Sequence, residues 1–220
     1  MYLLKIKNLL TILLSMTSQV IFSQELPKLK NPPVILETMV GSRGTYAQMM
    51  ISKKFHSIPN LGIFTVNSII GEWGQNRVDD MMMQGHVTYG IYKGFTVNAG
   101  FHYTPMTGMR PTAGVMYTFA SPLWTIVLFP RTDISSTPDM EMFGMVEHKP
   151  KINQKINLYS RVQGMYVNNP KSYLHQKSGI AIRTGVTYRE FTFGAAFSSD
   201  WYGQERKQKS NLGGFLSLAL

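Results

Sequence analysis

The sequence predicts an all-β fold, a closed antiparallel transmembrane β-barrel of about twelve strands with ten as the alternative count, and three observations carry that prediction. Apolar side chains recur with period two through most of the chain, most clearly from Ser178 to Leu220. The residues between them are mostly Gly, Thr, Ser, Asn and Ala, whereas a surface facing water carries Lys, Glu and Asp. The charges gather between the strands instead, as at His148, Lys149, Lys151 and Lys155 or at Glu205, Arg206, Lys207 and Lys209. A soluble lipocalin-like barrel has the same period with the opposite phase, so the character of the polar phase assigns the apolar face to lipid.

Taken in order, 1–23 reads as a secretory signal peptide. Lys5 and Lys7 form its positive start, Leu9 to Phe22 its apolar stretch, and Ser23 the last residue before cleavage. That stretch is too short and too broken by Ser and Thr to span a bilayer as a helix. Residues 24–33 form a polar, proline-bearing periplasmic lead-in, and 34–220 the barrel domain. The expected strands are 34–41, 44–55, 61–71, 80–92, 94–104, 111–119, 122–130, 139–148, 154–167, 178–188, 190–199 and 210–220. In the tenth, Ile180, Ile182, Thr184, Val186 and Tyr188 alternate with Gly179, Ala181, Arg183, Gly185 and Thr187. The eleventh sets Phe191, Phe193, Ala195 and Phe197 against Thr192, Gly194, Ala196 and Ser198. On the fourth, Met81 and Met83 share one face and Met82 the other, so packing explains this triplet better than soft-metal binding.

The connections expected to be tight lie near His56 to Asn60, Lys93-Gly94, Ser121-Pro122, Pro150 to Asn153 and Arg189. A longer set, Glu72 to Asp79, Pro105 to Arg110, Arg131 to Pro138, Asn168 to Lys177 and Asp200 to Lys209, alternates with it, after an opening hairpin at Gly41 to Arg43. Short periplasmic turns and longer outer loops are the habit of bacterial barrels. With an even strand number, both termini then face the periplasm.

Composition agrees. Charged residues make up only 15% of the 220, aromatics 12%, and the mean hydropathy is −0.08, as expected when only alternate residues meet lipid. The chain has no cysteine, which excludes disulfides, thiolate metal sites and cysteine nucleophiles. The net charge is +10. Without Lys5 and Lys7, 20 basic residues remain against 12 acidic ones, so outer-membrane lipids and the phosphates of lipopolysaccharide are the expected partners. Nucleic acid is not, because basic residues are scattered and form no aromatic-interleaved stripe.

The lumen phase holds Glu37, His86, Asn98, His102, Arg110, Glu141, Glu147, Lys155, Asn157, Arg161, Gln163 and Arg183. Of these, Glu37, His86, His102, Arg110, Glu141, Glu147, Arg161 and Arg183 form the candidate polar network. Both signs of charge occur, so they either pair into a plug or line a narrow pore, and a pairing network is the reading preferred. His86 and His102 could meet across neighbouring strands, but none of the five histidines has a convincing ligand spacing. No metal or other cofactor is expected.

Outer-membrane phospholipase A and the lipid A deacylases set a test for an enzyme reading, since both use a His with a Ser on the lipid-facing wall. Two residues share a face of a regular strand at a spacing of two. His175 and Ser178 are three apart, His56 and Ser57 are adjacent, and His102 with Thr104 lacks an acidic orienter. No catalytic residue is therefore expected. Trp73, Trp201 and Tyr202 follow strands at the outer rim, where aromatic anchors sit in membrane barrels.

Leader, alternation and loop asymmetry, over the whole mature chain, resemble the small outer-membrane barrels of the Bacteroidota, and the Ser23-Gln24-Glu25 junction after a short apolar run is similar to their leaders. The chain departs from the aromatic C-terminus common in outer-membrane proteins: it ends in Leu220, with Phe215 on the opposite phase. The resemblance implies export to the outer membrane through a cleaved signal peptide and a non-enzymatic structural, accessory or narrow-pore role, with an envelope protein as a possible partner. A lipid-modifying barrel enzyme is the alternative, and a soluble periplasmic lipocalin-like ligand binder the third reading.

Overall fold

The computed structural model describes residues 31–76, 78 and 80–220; the expected signal peptide and most of the lead-in lie outside them. Twelve strands follow in order: β1 (Ile35–Gly41), β2 (Gly44–Lys54), β3 (Leu61–Glu72), β4 (Asp80–Tyr92), β5 (Phe95–Thr104), β6 (Gly108–Ala120), β7 (Trp124–Asp133), β8 (Met140–His148), β9 (Ile156–Asn169), β10 (Leu174–Tyr188), β11 (Phe191–Tyr202) and β12 (Lys207–Ala219). Each pairs antiparallel with its sequence neighbour, and β1 closes the ring against β12. Twelve, not ten, is the strand number. Closure leaves no ladder edge, so every wall strand finds its backbone partners within the sheet, the condition a hydrocarbon solvent imposes.

The seam shows how close the backbones run. Gly41 lies opposite Gly213, and a Cβ on Gly213 would stand 1.9 Å from the Val40 carbonyl oxygen. Backbone bonds of 2.7 and 2.9 Å between Val34 and Leu220 fasten the other end of the seam. The hairpin at Lys93-Gly94 takes positive φ at both positions, 34° and 90°, the geometry that follows strand twist in a two-residue turn.

The connections differ from expectation. At the end carrying the β1–β2 turn they are 42–43, 73–79, 105–107, 134–139, 170–173 and 203–206; at the opposite end they are 55–60, 93–94, 121–123, 149–155 and 189–190. The lengths are alike. Strand pairing continues through residues that look like loop for lack of apolar alternation, taking β6 back to Gly108, β7 on to Asp133, β9 on to Asn169, β10 back to Leu174 and β12 back to Lys207. Backbone hydrogen bonding sustains those extensions, with polar side chains pointing inward.

The wall is polar inside and apolar outside, the inverse of a soluble lipocalin-like barrel. Val40, Val87, Met142, Phe193 and Leu212 are exposed on the outer face, Leu212 by 64%. Glu37, His86, Asn98, Arg131, Asp133, Arg161, Arg183 and Asn211 are buried within. Tyr89, Tyr92, Phe95, Phe119, Trp124, Tyr188 and Phe191 form an exposed aromatic belt toward the end where β1 begins and β12 finishes. Tyr166 and Trp201 stand on the outer wall toward the other. Apolar flank and aromatic borders fit a hydrocarbon slab bounded by headgroups.

The interior is less uniformly polar than its alternation suggests. Phe64, Val66, Met116 and Phe129 make one buried apolar cluster, with Met82 packed against it, and Met39, Tyr159, Ala196 and Phe215 make another. In the second cluster Phe215 stands opposite Gly194 and Tyr159 opposite Gly185, so the large inward rings fill space those glycines leave open.

Candidate functional site

A space enclosed by about eight strands is filled by side chains as a matter of course, but twelve leave room for a channel. Whether this barrel conducts therefore depends on side chains long enough to reach across. They do reach. Phe64 on β3 and Phe129 on β7, four strands apart around the wall, meet edge to face at 6.0 Å, with His86 on Phe129 at 5.4 Å. Tyr159 on β9 packs on Phe215 of β12 at 5.9 Å.

Glu37 is the polar counterpart. Its carboxylate, fully shielded from solvent, accepts two bonds from Arg161 Nη2 at 2.7 and 2.6 Å and one from Arg183 Nε at 3.0 Å. Arg183 Nη1 also donates to the backbone carbonyls of Ile182 and Phe197. One carboxylate on β1 thus holds two arginines from β9 and β10. Beside it, Tyr159 donates to Glu147 at 2.7 Å, and Lys149 pairs with the same carboxylate.

A second group lies on the opposite wall. Arg131 forms a two-pronged pair with Glu141, at 3.2 and 2.7 Å, and reaches Asp133 at 3.3 Å. Arg110 bridges Asp133 and Asp139 at 3.3 and 3.1 Å. Burial pushes the Asp139 carboxyl above its ordinary range, and Arg110 pulls against that rise.

A third group closes the end that carries the β1–β2 turn. Arg43, in that turn, donates to Glu72 at 2.9 and 2.7 Å, to Asp200 at 3.1 Å, to Asp80 at 3.4 Å and to the Tyr202 hydroxyl at 3.2 Å. Lys177 pairs with Asp80 and Lys209 with Glu72, and Tyr202 donates to Asp80. Burial works against the Arg43 charge, yet its bonds to Tyr202 and Glu72 outweigh burial and hold its pKa above the ordinary arginine value. Of 12 acidic residues in the chain, Glu37, Glu72, Asp80, Asp133, Asp139, Glu141, Glu147 and Asp200 all take part in these ion pairs. The surplus basic residues are thereby left to the turns.

The eight candidate lumen residues all face inward but fall into separate groups. Glu37, Arg161 and Arg183 meet; Arg110 and Glu141 are joined only through Asp133 and Arg131; Glu147 meets Tyr159. His86 and His102 share the inward face diagonally, His86 opposite Gly100 and His102 opposite Gln84, and His86 bonds Gln84 at 3.3 Å. No group of three His, Asp or Glu that could hold a metal occurs among the described residues.

Trp73 stands just past the end of β3, exposed, its ring nitrogen donating to the Gly41 carbonyl at 2.8 Å. Three expectations need correcting. Lys155 is exposed in the turn before β9 and is not a lumen residue, because β9 begins at Ile156. Tyr202 is no membrane anchor: it lies on the inward phase opposite Lys177, with its hydroxyl in the Arg43 group. The third concerns His175 and Ser178. A bulge at Gln176 shifts the register between His175 and Lys177, and one extra residue puts His175 and Ser178 on the same face. They are hydrogen bonded at 3.0 Å, on the outer wall. Arg43, Arg131, Asp133 and Asp200 escape notice in the sequence because they read as loop, although Arg131 and Asp133 continue the two-residue phase of Phe129.

No protein-family model matches the chain, and no curated protein matches it. Among solved structures, the NanC porin is 13% identical with a TM-score of 0.47, over 85% of this chain and 98% of that one. The KdgM porin, solved with disordered oligogalacturonate, is 11% identical at 0.45 over 85% and 98%. LpxR from Salmonella typhimurium is 5% identical at 0.39 over 85% and 99%. At TM-scores below 0.5 these likenesses assign nothing to the chain.

Proposed function

We propose that the chain is an outer-membrane barrel whose lumen is shut by its own side chains, a structural or accessory element of that membrane and not a solute pore. The observation that carries this reading is contact across the lumen: Glu37 held by Arg161 and Arg183, and Phe64 seated on Phe129. A conducting barrel needs a continuous wet path, whereas here an ionic bridge and an aromatic bridge both reach across the interior. Placement in a membrane rests on the inverted polarity of the wall and its aromatic borders.

The even strand number puts the start of β1 and the end of β12 at one end, which we assign to the periplasm, with the Arg43 group at the outer rim. Exposed Lys171, Arg206 and Lys207 at that rim suit the phosphates of lipopolysaccharide. The test is planar-bilayer recording of refolded protein whose insertion is verified by protease protection. Inserted but electrically silent protein supports the reading; regular conductance steps overturn it.

A further inference from the structure

We propose that Ser178 and His175 form a nucleophile and general base on the lipid-facing wall, a site that cleaves acyl esters of outer-leaflet lipids. The tautomer follows from the partners. His175 Nδ1 lies 2.6 Å from the Gly203 carbonyl oxygen, which can only accept, so Nδ1 carries the proton. In the neutral ring Nε2 is then a bare acceptor, and the Ser178 hydroxyl at 3.0 Å donates to it. A serine hydroxyl donating to an imidazole whose far nitrogen is fixed by a third group is the arrangement that activates a nucleophile.

The fold builds this geometry deliberately. The Gln176 bulge brings His175 onto the face of Ser178, and bulges often re-aim a side chain in this way. The Gly203 N–H donates to the Gln176 carbonyl at 2.8 Å, so the bulge and the orienting carbonyl are held together. Gly203 opens the β11–β12 turn with φ 67°, a conformation suited to glycine. The His175 ring is buried, with the Tyr166 ring 5.6 Å away. Ser178 stands between Tyr166 on β9 and Trp201 on β11, both in register with it on the outer wall. Aromatic side chains of that kind sit at the level of lipid headgroups, where the ester linkages of membrane lipids lie. The ester class is thus argued from depth as well as from the dyad.

The reaction balances with water as the only co-reactant. Ser178 Oγ bonds to the ester carbonyl carbon while its proton passes to His175 Nε2. Collapse of the tetrahedral adduct breaks the bond to the leaving alcohol, which takes the proton from Nε2 and leaves an acyl-serine. Water then adds to the acyl carbon and gives its proton to Nε2. The second collapse breaks the bond to Oγ, which recovers the proton, and a fatty acid departs.

The experiment uses the full barrel refolded into mixed micelles, with phosphatidylethanolamine or lipopolysaccharide as the lipid, and follows fatty-acid release by mass spectrometry. Labelling with a fluorophosphonate and mapping the adduct gives a second readout independent of lipid choice. The dyad predicts an adduct on Ser178 and release from at least one lipid, the responsive arm identifying a phospholipid or a lipid A ester as substrate. Ser178→Ala, with its heat-modifiable gel mobility retained, abolishes labelling and lowers release by about a thousandfold or more. His175→Asn lowers both, and Trp124→Phe, at the opposite end of the wall, leaves labelling in place. No adduct and no release from either lipid by a folded parent, or release that survives Ser178→Ala, overturns the proposal. Conductance plays no part in this outcome, so it stands or falls separately from the closed lumen.

Discussion

Replacing Glu37 by alanine tests an ion cluster whose carboxylate is fully buried. The carboxylate accepts three bonds of 2.6 to 3.0 Å from Arg161 and Arg183, and neither its own side chain nor theirs is more than 5% exposed. Taking it away leaves two guanidinium groups side by side on neighbouring strands, since Arg161 lies opposite Arg183 in the β9–β10 register, and Arg161 Nε already lacks a protein partner. Removing one member of a buried pair costs about 3–5 kcal/mol, chiefly through the stranded charge. That is a roughly hundredfold to several-thousandfold shift in the folding equilibrium. The assay is urea unfolding of the refolded barrel in lipid vesicles, followed by tryptophan fluorescence and by the heat-modifiable gel band. Glu37→Gln keeps the shape and one acceptor, and its loss is smaller, about 1–3 kcal/mol. Replacing Glu37, Arg161 and Arg183 together by Met, Met and Leu restores most of the loss, since no charge is left stranded. If Glu37→Ala unfolds at the parent's urea concentration, the three-residue bridge carries no stability and the reasoning is wrong.

Other outcomes follow from the same structure. Phe129→Ala removes a nearly fully buried ring, costs about 3–5 kcal/mol, and combined with Glu37→Ala gives measurable bilayer conductance where the parent gives none. Gly213→Val drives a side chain into the Val40 carbonyl and prevents β1 from closing on β12, seen as loss of the heat-modifiable band. Brominated lipids quench Trp124 and Trp201, on the outer wall, more strongly than Trp73 beyond the strand ends, read by comparing single-tryptophan variants. Asp139 titrates higher in the fold than its ordinary value, so its protonation favours the folded state. That contribution is present below the ordinary carboxylate pKa and is lost as pH rises through the folded one. Asp139→Asn lacks it, so the stability difference between parent and variant grows more favourable to the parent as pH falls.

The wall was legible because its rule is simple. Period two with small polar residues on the second face specifies which way each strand faces, and β10 with β11 announces it over Gly179 to Ser198 without interruption. The strand ends were not legible, since Asp133, Lys177 and Asp200 look like loop residues while their backbones still pair. That hid the Arg43 group, whose central residue sits in a two-residue turn and whose partners come from β3, β4 and β11. The apolar plugs were only half visible: Phe215 and Met82 fall on the inward phase by counting, but nothing in the sequence says that Phe64 on β3 meets Phe129 on β7. Counting residues puts Ser178 and His175 on opposite faces, because a spacing of three separates faces on a regular strand, whereas the bulge joins them. Counting residues cannot find a bulge; the unpaired Gln176 in the β9–β10 register does.

The phase of the wall is the claim on which everything else depends, and one gel tests it. The mature chain, refolded into lipid and run in SDS without boiling, is predicted to migrate as a compact band that shifts on heating, as a closed barrel with every ladder bond satisfied should. A chain that stays monomeric and folded in lipid-free buffer, with no such shift, would contradict the account by showing that the apolar face points inward.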